Sequence, residues 1–211
     1  MTRFTEDAFA FYEGLTADNS KAYWTEHRAT YDTQVRAPFV ALLDELAPAF
    51  GGGRVSVFRP YRDVRFSTDK SPYKLHQGGF VELAPSVGYY VQLDADGLLV
   101  GGGFHAVDRA QTARYWAAVD DADTGTALVT ITAAVRKAGF ELGGDQVRTR
   151  PRGVPADHPR LDLMRREFLT ASRSVSAEEA VALDDLVPVV SKGWKALRPF
   201  LTWIATNAPP E

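Results

Sequence analysis

Between Phe58 and Lys74 the chain places five cations (Arg59, Arg62, Arg65, Lys70 and Lys74) around two carboxylates, Asp63 and Asp69. Arginine beside aspartate favours bidentate, charge-assisted pairing, so Asp63 can orient guanidinium groups without cancelling all of their charge. The surplus positive groups suit a small anionic ligand. Arg59, Arg62 and Arg65 are the expected anion contacts, and Asp69 and Lys74 complete the binding set. Asp63, Lys70 and Tyr73 are the groups that would donate hydrogen bonds or move protons if a reaction takes place. A regular strand puts Arg59, Asp63 and Arg65 on one face and Arg62 on the other with Phe58 and Phe66. Pro60 points instead to an edge or a bulge. The same charges also suit a structural ion-pair lattice that holds a loop for a protein partner. Such a lattice needs carboxylates from elsewhere in the chain, Glu82 for example, because two cannot serve five cations.

Other patterns carry less chemistry. His105 follows Gly101-Gly102-Gly103 and is a weaker acid–base candidate. These residues formally fit a dinucleotide fingerprint, but that site needs a parallel strand–helix–strand unit. The turn Asp94-Ala95-Asp96-Gly97 instead predicts an antiparallel hairpin, so the glycines read as positions of close backbone approach. The chain has no cysteine, and its four histidines lack metal-ligand spacing, so no metal site is expected and no cofactor is indicated. Ser67, Ser71, Ser172 and Ser174 lack the setting of a hydrolase nucleophile. Arg148, Arg150, Arg152, Arg160, Arg165, Arg166 and Arg173 give a third reading, nucleic-acid contact. Phe168 is the only aromatic from Gln146 to Ser174 and the net charge is -3, so no nucleic-acid partner is expected.

The charged stretch resembles domain-of-unknown-function family 2461, whose signature reads R-x-x-R-D-x-R-F followed by D/N-K-x-x-Y. Arg59, Arg62, Asp63, Arg65, Phe66, Asp69, Lys70 and Tyr73 fill its positions. Asn19-Ser20-Lys21-Ala22-Tyr23-Trp24 is similar to the family's N-terminal block, with the aromatic order altered. Gly88-Tyr89-Tyr90, Leu98 to Gly103 and Asp157-His158-Pro159 are similar to later blocks. The resemblance implies an α+β domain spanning the chain and brings no activity with it.

The elements that must position these residues follow from periodicity. Thr5 is placed to cap a helix bearing Ala8, Phe9, Tyr12 and Leu15. A second helical stretch follows Asn19 and Ser20, and Pro38 should kink it or begin another, with Phe39, Leu42, Leu43 and Leu46 at helical spacing. Val55 to Phe66, Leu75 to Leu83, Gly88 to Leu93 and Leu98 to Gly102 read as strands. Asp108 and Gln111 form a capping-box pair. Thr126 to Ala138 reads as helix with Gly139 as its stop. Phe140 to Arg150 reads as a local hairpin. Asp157-His158-Pro159 should open a short helix, Ser176 and Glu179 form another capping box, and Pro188 and Pro199 should break or bend the last helix. This order favours α+β, an antiparallel sheet backed by N-terminal and C-terminal helices, in a single domain over residues 1–211.

At 211 residues, 45% hydrophobic and 24% charged, the chain can bury a full core without staples and is neither disordered nor collagen-like. The acidic start carries no long apolar run, so no signal peptide is expected, and no stretch suggests a membrane span. The expected setting is cytoplasmic.

Overall fold

The computed structural model describes residues 1–210. The chain opens with helices α1 (Glu6–Ala17), α2 (Lys21–Glu26) and the single turn α3 (Arg28–Thr30). A π-helical turn, Tyr31–Arg36, leads into α4 (Ala37–Leu46). Strands β1 (Val55–Val57), β2 (His76–Ala84), β3 (Val87–Asp94) and β4 (Gly97–Phe104) follow. Then come α5 (Arg109–Asp120), α6 (Ala122–Lys137), β5 (Glu141–Gly143), α7 (Leu161–Met164), β6 (Thr170–Ser176), α8 (Ala177–Ala182) and α9 (Val187–Asn207). The protein is α+β, and its antiparallel sheet has the order β1-β2-β3-β4-β6-β5. No described helix is long and apolar enough to cross a membrane.

Two compact units are distinguished. The first comprises residues 1–81, 90–100 and 174–191. Its core takes Ala8, Phe11, Tyr12 and Leu15 from α1 and Phe39, Leu42, Leu43 and Leu46 from α4, all essentially inaccessible. Thr5 stands at the N-cap of α1, but its hydroxyl donates to Gln34 Oε1 at 3.0 Å rather than accepting from the helix. Pro38 stands in the first turn of α4, as expected for a proline that begins a helix. The wide π-turn directly before it loosens the backbone where the proline ring would crowd the carbonyl four residues back. The β3–β4 turn is built on Asp94, whose Oδ1 accepts from Asp96 N at 3.0 Å and Gly97 N at 3.2 Å.

The second unit comprises residues 82–89, 101–173 and 192–211. Tyr89 packs on Trp194 at 5.1 Å between centroids, and Trp203 Nε1 donates to Thr124 O at 3.0 Å. Asp108 caps α5 by accepting from Gln111 N at 2.6 Å. Gln111 does not complete the capping box. Its side chain is buried, accepts from Val107 N and donates to Ser86 Oγ and Ala208 O, so it serves the core instead.

Two expectations are corrected here. Residues 140–150 form no local hairpin: Glu141–Gly143 pair antiparallel with Thr170–Ser172. Pro199 lies inside α9 and does not end it. The glycines of β4 do mark close approach, since a Cβ on Gly101 would meet Ala171 O at 2.7 Å. With antiparallel strands before it, and α5 starting only at Arg109, this stretch is not a dinucleotide-binding unit.

Candidate functional site

Only Val55–Val57 of the expected long first strand is regular. Beyond it, Phe58 to Leu75 form an arm that leaves β1 and returns to β2. Phe58 N donates to Gly78 O at 2.9 Å, Lys74 N to Pro60 O at 2.7 Å and Arg62 N to Pro72 O at 2.9 Å, with Tyr61 opposite Tyr73 in an antiparallel bridge. Pro60 and Pro72 each offer a carbonyl and no N–H, so the ladder is sparse and strand alternation does not carry through to Arg65.

The base of the arm is clamped by the helices. Ser20 caps α2, accepting from Tyr23 N at 3.2 Å. Asn19, just before it, donates from Nδ2 to Tyr73 O at 3.0 Å and accepts from Tyr73 N at 3.1 Å. The Tyr73 ring stacks on buried Trp24 at 4.3 Å and 8°. Tyr31 Oη donates to Gln77 Oε1 at 2.7 Å, and Gln77 Nε2 donates to Phe58 O at 2.8 Å.

Charge pairing along the arm is local. Arg62 Nη1 donates to Asp69 Oδ2, while Asp69 Oδ1 accepts from Ser71 N at 2.8 Å and Ser71 Oγ at 2.6 Å. These bonds, those from Ser71 and then that from Arg62, hold the Asp69 carboxyl well below the usual range. Asp63 accepts a fork from Arg65, Nε at 2.9 Å and Nη2 at 2.6 Å, which likewise holds its carboxyl down. Lys70 Nζ donates to Val64 O at 2.9 Å, Lys74 Nζ lies 5.5 Å over the Phe58 ring, and Arg59 is exposed without an ion pair among the described residues.

Beside this arm the first unit has an open hollow of about 470 Å³. Of the expected site residues, Arg62, Asp63, Asp69, Tyr73 and Lys74 line it; Arg59, Arg65 and Lys70 do not. His105 belongs to the second unit, with its ring 4.2 Å from Phe168. Thr16, Asn19, Ser71, Leu75 and His76 complete the lining. None of these is a site residue expected from the sequence, although His76, like His105, reads there as able to face the charged strand and Asn19 lies in the N-terminal block of the family resemblance. Burial, followed by Lys74, lowers the His76 imidazole below its ordinary pKa. Burial, followed by Tyr61, raises the Tyr73 phenol, so Tyr73 is a donor near neutral pH.

Several of the later arginines serve the second unit internally. Arg160 donates to Val119 O and Asp120 O, both at 2.6 Å, satisfying carbonyls at the end of α5. Arg165 reaches Val147 O and Arg148 O at 3.3 Å, Arg166 is buried beside Asp162, and Arg173 lies 5.2 Å over Phe140. Among the described residues no group of three or more histidines, aspartates or glutamates is arranged to hold a metal ion.

Among curated proteins, none matches the sequence. A family model does, over residues 7–203, a span that contains both the arm and the helices that clamp it. The chain therefore belongs to the family of conserved hypothetical proteins DUF2461.

Proposed function

We propose that the first unit binds a small anion in the hollow beside the arm. The observation that carries this reading is the division of labour among its charges. The two carboxylates are occupied, Asp69 by Arg62 and Ser71 and Asp63 by Arg65. Lys74 Nζ and the His76 ring make no hydrogen bond to a described residue, and the further donors of the Arg62 guanidinium are likewise uncommitted, while all three residues line the same hollow. The protonated Tyr73 phenol adds a neutral donor. Ammonium, guanidinium and phenol donors on residues around one open hollow suit an oxyanion, and charge-assisted bonds are the stronger ones. Lys70 is turned to Val64 O, so the arrangement supports recognition rather than a proton relay.

The test is thermal unfolding of the full chain in phosphate, sulfate and citrate, at matched ionic strength. A ligand that binds only the native state raises the melting temperature with concentration. Wild type should gain several degrees with at least one of these anions, and Lys74→Met should gain none. The Met substitution keeps most of the apolar stem while removing the charge. No shift with any anion would favour the structural ion-pair reading.

A further inference from the structure

The hollow is not uniform along its length. At the base of the arm its lining consists of Thr16, Asn19, Lys74 and His76, with no carboxylate. Towards the tip it consists of Arg62, Asp63, Asp69 and Ser71. Backbone pairing fixes this order, because Lys74 bonds opposite Pro60 and Arg62 opposite Pro72, one step further out. Both carboxylates stay ionised at neutral pH and are therefore pure acceptors.

A volume of about 470 Å³ exceeds what a bare inorganic ion needs and falls in the roughly 300–1,000 Å³ range of small-molecule sites. A ligand with its anionic group at Lys74 and His76 would reach with its other end towards Asp63 and Asp69. A second negative group there would meet the carboxylates. An ammonium there would meet the Arg62 guanidinium, and both carboxylates are already neutralised by their arginine partners. A neutral hydroxyl donor fits, because Asp69 Oδ2 accepts only from Arg62 and Asp63 Oδ2 only from Arg65, which leaves each able to accept a further hydrogen bond.

We infer that the ligand is a hydroxyl-bearing organic anion, a phosphorylated or carboxylated polyol, held by its oxyanion at Lys74 and His76 and by its hydroxyls at Asp63 and Asp69. This rests on the anion reading above and adds the class of molecule. Leu75, which also lines the hollow and is 41% exposed, offers apolar contact for the carbon chain between the two ends.

The experiment is isothermal titration of the full chain with matched pairs: ribitol 5-phosphate against n-pentyl phosphate, and gluconate against hexanoate. The two pairs separate a phosphate head from a carboxylate head. In the pair whose head is accepted, the hydroxylated member should bind at least tenfold more tightly. Asp63→Asn should reduce that advantage while leaving the alkyl anion's affinity unchanged or improved. Equal affinity within both pairs, or tighter binding of the alkyl members, would overturn the inference and leave anion binding intact. An advantage undiminished by Asp63→Asn and by Asp69→Asn would overturn the assignment of the hydroxyls to these carboxylates. If no probe binds, the anion reading itself falls, and this inference with it.

Discussion

The side-chain amide of Asn19 takes the place of a neighbouring strand for Tyr73, donating to its carbonyl and accepting from its N–H. One residue thus satisfies both main-chain groups of the position where the arm turns back towards the sheet. Its own place is fixed because Ser20 caps α2 immediately after it. Asn19→Ala should leave both groups of Tyr73 without that partner and cost about 1–3 kcal/mol. Urea denaturation measures the loss, and faster hydrogen exchange at Tyr73 N–H should accompany it. Asn19→Asp retains only the acceptor and should fall between the alanine variant and wild type.

The Tyr31–Gln77 bond is the second clamp. Both side chains are about 1% exposed, and burial pushes the Tyr31 phenol up to about 12, so it donates throughout the neutral range. Tyr31→Phe leaves Gln77 Oε1 buried without its donor. A loss of about 1–3 kcal/mol in urea denaturation is expected.

Gly97 opens β4 with φ at 145°, and a Cβ there would collide with Val175 O and come within 2.9 Å of Ala177 N. Gly97→Ala should therefore cost about 1–3 kcal/mol from the backbone conformation, plus the cost of moving two main-chain segments apart. Gly52 also has a positive φ but faces open space. Gly52→Ala is the matched control, and its smaller loss in the same denaturation experiment separates collision from backbone strain.

On the proposed anion reading, His76 should make binding pH-dependent. Burial and Lys74 depress its folded-state pKa below the ordinary value, with Asp94 opposing. Neutral His76 therefore contributes stability above the unfolded value, about 6.5, and that contribution is lost as pH falls through the lowered folded value. A bound anion favours the protonated ring. Sulfate affinity should rise as pH falls from 8 through that region, while Asp63 and Asp69, both held low, remain ionised. Calorimetric titration across this range checks the slope, and His76→Gln should flatten it.

The order of elements was legible in the sequence because its signals are local. The Ser176–Glu179 capping box forms as expected, and the apolar spacing of Phe39, Leu42, Leu43 and Leu46 gives the buried face of α4. What failed depends on distant partners. β6 is mostly Thr, Ser and Arg and carries little strand pattern, yet it pairs with β5 and displaces the local hairpin expected there. Pro199 sits within α9 beside the inaccessible Leu197, Phe200 and Leu201, where packing offsets the missing hydrogen bond. At the site, the Arg59–Lys74 composition located the arm. Spacing alone did not say that Arg62 pairs with Asp69 and Arg65 with Asp63, or that Asn19 and His76 would share the hollow with them, since these contacts depend on how the prolines shape the arm and where α2 begins.

The most direct test of the central claim is a ¹H–¹⁵N chemical-shift titration of the full chain with sulfate at fixed ionic strength. The expected result is saturable shifts centred on Asn19, Ser71, Tyr73, Lys74 and His76, all lost in Lys74→Met. Shifts that do not saturate at these residues, or that instead gather on the arginines between Arg148 and Arg173, would contradict an anion site beside the arm.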